Sequence, residues 1–123
     1  MSKLAHIGIV VSDMARSVAF YQDVLSCKVT DARDIGFANL TFLDYEGVPL
    51  ELVQRKNEAG VIRDGAKGRV DHVGFYVDDI DSEFARLKAK NVPLLTDAPQ
   101  NNGFMKNFFF FGPDGERLEF VQR

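Results

Sequence analysis

LAHIGIVVSD, residues 4–13, returns 66 residues later as VDHVGFYVDD, residues 70–79. His, Gly, Val and Asp coincide at 6/72, 8/74, 11/77 and 13/79. A second match lies at nearly the same offset. NLTFLDYEGVPLELVQR (39–55) falls on NFFFFGPDGERLEFVQR (107–123) at a shift of 68, with eight of seventeen positions identical. Self-similarity at a near-constant offset marks a duplicated structural unit. The chain is read as one domain of two modules, 4–55 and 69–123, joined by a linker at 56–68. That linker is charged and carries three glycines, so it is a candidate lid over a site.

Both modules read alike. An apolar strand (4–11 or 70–77) is followed by an aspartate placed to cap a helix, Asp13 or Asp79. The helices span 14–25 and 80–91. Met14, Val18, Tyr21 and Leu25 make an apolar stripe on the first, and Ile80, Phe84 and Leu87 make one on the second. Three strands follow in each copy, at 27–32, 38–44 and 48–54, then at 93–97, 107–111 and 116–122. YEGV and PDGE supply hairpin turns, with glycine for positive φ. The fold class is therefore α+β, two tandem βαβββ modules. One helix covers one sheet face, so the two open faces are expected to enclose a shared hollow, within a chain or across a dimer.

Composition narrows the function. The 123 residues carry a net charge of -3 and no basic stripe, which argues against nucleic acid. Cys27 stands alone, so an intrachain disulfide is excluded and a thiolate metal site disfavoured; it reads as a small residue at a strand start. No apolar run reaches the roughly 20 residues of a membrane span. The N-terminus lacks a secretory pattern, and a cytoplasmic location is expected.

The two histidines, His6 and His72, are the only ones in the chain. Strand alternation puts Ile7, Ile9 and Val11 on one face and His6, Gly8 and Val10 on the other. In the twin, His72, Gly74 and Tyr76 oppose Val73, Phe75 and Val77. The bulky sets belong under the helices. By the same alternation Glu51 and Val53, and Glu119 and Val121, face the hollow. A buried carboxylate is costly unless a positive charge meets it. Two imidazoles and two carboxylates neutralise one divalent cation. The N/O set suits Ni²⁺ or Zn²⁺, and also Co²⁺, Mn²⁺ or Fe²⁺, rather than Ca²⁺. Val53, Met105, Phe109, Phe111 and Val121 are candidate pocket walls.

On these residues the whole chain resembles the vicinal oxygen chelate superfamily, the glyoxalase/bleomycin resistance/dioxygenase fold. HIGIVVSDMARSVAFYQDVLSCKV is similar to its opening strand and helix, and FFFFGPDGERLEFVQR to its closing hairpin. The His, Glu, His, Glu order resembles glyoxalase I (lactoylglutathione lyase). That resemblance implies His6, Glu51, His72 and Glu119 as metal ligands, with Glu119 or Glu51 as the catalytic base. It also implies enediolate chemistry on a hemithioacetal or related small-molecule substrate, and a homodimer. Val10 and Arg55 stand where short bacterial glyoxalases carry Arg and Asn, so the thiol need not be glutathione. Arg16, Arg55, Arg69 and Arg123 are the alternative anion grips. Two further readings are a metal-dependent epimerase of the methylmalonyl-CoA type and a non-catalytic protein that binds an antibiotic or other small ligand.

Overall fold

The computed structural model describes residues 3–56 and 67–122 of the chain. Most of the linker, with any closing role, and Arg123 lie outside the described residues. Contacts divide the chain into two compact units. One is His6–Asp71, and the other joins Met1–Ala5 to His72–Arg123.

The first unit holds β1 (Lys3–Val10), from His6 onward, then α1 (Met14–Leu25), β2 (Lys28–Asp34), β3 (Ala38–Tyr45) and β4 (Val48–Arg55). β1 runs parallel to β4, with Gly8 opposite Glu51. β4 is antiparallel to β3, and β3 to β2. Asp13 caps α1 by accepting a hydrogen bond from the Arg16 amide at 3.1 Å. Val11, Cys27, Leu43 and Leu52 form the core beneath α1, joined by Ile9, Met14, Val18 and Tyr21. Cys27 is thus a buried core residue. Ala38, Leu40 and Val53 cluster separately, with Ile35 and Phe42. The two clusters divide the strand residues by alternation, one set per sheet face.

The second unit repeats the plan with β5 (Val70–Val77), α2 (Ile80–Ala89), β6 (Gln100–Asn101), β7 (Lys106–Phe111) and β8 (Arg117–Gln122). β5 is parallel to β8, with Gly74 opposite Glu119, and β8 is antiparallel to β7. Asp79 caps α2 as Asp13 caps α1, again at 3.1 Å. The core is richer in rings: Phe84, Phe108, Phe110 and Phe120 pack with Val77, Ile80 and Leu87. The shared Val-Gln-Arg ending has a structural use. The Gln54 amide donates to the Ser12 carbonyl at 2.7 Å, and Gln122 Oε1 accepts from the Ile80 amide at 2.8 Å. Each glutamine ties the last strand of its module to the start of its helix.

Two expectations are corrected. No regular strand forms over 93–97. Only Leu94 bridges to Phe110, and the short β6 pairs with β7 further on, at Gln100–Asn101. Pro93 and Pro99 each lack an amide donor, which breaks a continuous ladder. The second correction concerns register. The ungapped shift of 68 holds between β4 and β8 but slips by one residue between β3 and β7. Phe42 lies opposite Glu51, whereas Phe109, not Phe110, lies opposite Glu119. The cause is loop length. Tyr45 pairs directly with Val48 around Glu46-Gly47, both at positive φ. In the second hairpin Gly112 bonds across to Glu116, leaving the longer loop Pro113-Asp114-Gly115, with Gly115 at φ 82°. A two-residue and a three-residue hairpin differ by one in register. A one-residue shift exchanges sheet faces. Leu40 is therefore the counterpart of Asn107, and Thr41 that of Phe108.

Candidate metal centre

Each unit builds one buried histidine–glutamate pair. In the first, His6 on β1 and Glu51 on β4 are each 4% exposed, and Nε2 lies 3.6 Å from Oε1. In the second, His72 on β5 is 5% exposed and Glu119 on β8 is 2% exposed, with Nε2 3.4 Å from Oε1. Parallel pairing of the first and last strand of each module makes this possible, since Gly8 and Gly74 stand beside the glutamates and place no side chain over them.

An aromatic ring steadies each imidazole. The Phe42 ring meets His6 edge-on at 5.9 Å, and Phe109 meets His72 at 5.3 Å and 88°. The four-phenylalanine run divides by alternation: Phe108 and Phe110 enter the core under α2, while Phe109 turns to the histidine face. Glu119 has a further anchor. Its Oε2 accepts a 2.7 Å hydrogen bond from Asn107 Nδ2, and both side chains are buried.

The donor set fits a transition-metal dication. Two ligand atoms about 2.1 Å from one ion stand roughly 3.0–3.5 Å apart, close to the separation within each pair. Imidazole Nε2 and carboxylate oxygen are the donors such ions prefer, and burial removes competing water. The Asn107–Glu119 bond is the kind of outer contact that orients carboxylates at metal sites.

Of the other residues singled out in the sequence, Val53 and Val121 are buried on the glutamate face, while Met105 and Phe111 are half-buried. Arg55 shares that face, but its guanidinium is paired with Asp71 at 2.7 Å. Arg16 instead lines a cavity of about 470 Å³ beside α1 with Ile9, Val11 and Tyr21, on the helix side of the sheet. Arg69 is exposed. Two residues were not singled out. Asn107 required the hairpin register. Arg117 was readable from alternation, two residues before Glu119 on the same strand face. Its guanidinium stacks 4.3 Å over the Phe109 ring.

A model of the Glyoxalase/Bleomycin resistance protein/Dioxygenase superfamily matches residues 3–120. The chain belongs to this superfamily. It is 33% identical to YwbC of Bacillus subtilis (strain 168), over 98% of each chain. It is 28% identical to the lactoylglutathione lyase of Neisseria meningitidis, over 98% of this chain and 91% of that one. Among solved structures, methylmalonyl-CoA epimerase from Mycobacterium tuberculosis superposes with a TM-score of 0.81 at 21% identity, covering 97% of this chain and 86% of that one. This likeness carries the fold alone. Among the described residues, no helix is long and apolar enough to cross a membrane.

Proposed function

We propose that this superfamily member is a metal-dependent enzyme that moves a proton next to two adjacent substrate oxygens, as in glyoxalase I. The observation that supports this reading most is the duplicated, buried His–Glu pair, His6–Glu51 and His72–Glu119. In this reading the four side chains together hold one divalent transition metal, Ni²⁺ or Zn²⁺ first. A dication held by these residues would supply positive charge beside the substrate oxygens, which would acidify the neighbouring C–H. The chain supplies the proton carrier. Glu119 or Glu51 takes the proton from one carbon and returns it to the next. The carboxylates lie in buried surroundings, which keeps the carried proton from exchanging freely with water. A hemithioacetal formed from a 2-oxoaldehyde and a thiol is the substrate class. The catalytic unit is a homodimer.

A second reading, epimerisation, is supported by the presence of two glutamates, because inversion at a carbon needs an acid and a base on opposite faces. Both readings share the metal and the glutamates. The test begins with metal content of the protein as purified, then removal by EDTA and reloading with Ni²⁺ or Zn²⁺. Reloaded protein is assayed with methylglyoxal and a panel of thiols, and separately for deuterium uptake from D₂O into methylmalonyl-CoA. Thioester formation supports the glyoxalase reading, and deuterium uptake alone supports the epimerase. Failure to take up metal, with ligand binding intact, would leave a non-catalytic binder. Light scattering of the eluting protein measures the dimer.

A further inference from the structure

We propose that Arg117 is the anion-binding residue of this site and that the substrate carries a carboxylate, which Arg117 grips beside the His72–Glu119 pair. This rests on the metal reading above and adds the substrate's charge to it. Arg117 begins β8, opposite Phe111, and its side chain shares the face of Glu119. The guanidinium lies 4.3 Å over the Phe109 ring, and that ring meets His72 edge-on at 5.3 Å. Guanidinium, ring and imidazole thus stand in a row on one sheet face.

Arg117 Nε is buried and has no hydrogen-bond partner among the described residues. A buried N–H on a cation is expensive without an acceptor. An anionic ligand oxygen supplies one. The contact with Phe109 holds the guanidinium over the ring, and its planar fork matches a carboxylate held by two parallel hydrogen bonds. The counterpart of Arg117 in the first module is Pro49, by the shift that relates Glu51 to Glu119. The cation is therefore present in one module only, and the carboxylate end of the substrate is directed to the second. Arg16 and Arg55 do not compete for this role, one lying on the helix side of its sheet and the other engaged with Asp71.

Two probes test this by calorimetry on metal-loaded protein. Lactate and hydroxymalonate chelate through the same hydroxyl and carboxylate, but hydroxymalonate has one carboxylate more. The wild type should prefer hydroxymalonate, and Arg117→Met should reduce that preference about 10- to 100-fold, the worth of a charge-assisted hydrogen bond. Metal affinity and lactate binding should stay at wild-type values. Arg117→Gln serves as a second variant if Arg117→Met does not fold. An unchanged preference in a folded, metal-loaded variant overturns the assignment alone. A wild type that takes up no metal overturns the metal reading and this assignment with it.

Discussion

The two modules set the same three residue types on the same sheet face, His6, Glu51 and Phe42 in one and His72, Glu119 and Phe109 in the other. They differ in what stands next to the glutamate. The first module has Leu40 and Pro49 at the positions where the second has Asn107 and Arg117. Duplication has kept the donor atoms and their supporting rings, while Asn107 and Arg117 have apolar counterparts, Leu40 and Pro49, in the first module.

The sharpest way to break this comparison is to treat the glutamates alike. Glu119→Gln and Glu51→Gln should each lower turnover by about 10²- to 10⁴-fold, with unchanged far-UV circular dichroism. A variant that keeps full turnover would remove that glutamate from the chemistry and show the pair to be unequal. The cores offer the next contrast. Phe108→Ala should cost about 3–5 kcal/mol in urea unfolding, because a fully buried ring is removed. Its counterpart Thr41→Ala should cost about 1 kcal/mol. Equal losses would contradict the register that pairs them.

A smaller effect probes the glutamate's anchor. Asn107→Leu copies the first module at this position and should weaken metal binding about 10- to 100-fold, read by competition with a chromophoric chelator. Leu40→Asn should not tighten it, since Glu51 belongs to a different set of neighbours. The smallest expected effect is the most symmetric. Asp13→Ala and Asp79→Ala should each cost about 1 kcal/mol, since both caps accept at 3.1 Å. A large difference between them would mean that the helices contribute unequally to stability.

Much of this was legible in the sequence because strand alternation is strict. Putting Ile9, Val11, Leu50 and Leu52 on one face forces His6 and Glu51 to the other, and the cores obey it. Helix α1 begins and ends at the residues that its cap and apolar stripe indicate. What failed depended on pairing between strands. The segment at 93–97 has strand-like residues, yet Pro93 within it and Pro99 just beyond it leave only a bridge at Leu94. Asn107 looked like the twin of Asn39 by identity, but Asn39 donates to Gln54 while Asn107 donates to Glu119. Identity along a chain does not report which face a residue takes. Arg117 was accessible to the same alternation that found Glu119, since it lies two residues before it on the same strand.

Gly115 ends a loop one residue longer than its twin at Glu46-Gly47. That tip lies about five residues from Asn107, roughly 17 Å along the strand. The extra residue is absorbed in the turn: Asn107 stands opposite Val121 as Leu40 stands opposite Val53, and Phe109 opposite Glu119 as Phe42 opposite Glu51. A change of length at the rim of a sheet can therefore leave the side chains at its centre where they were.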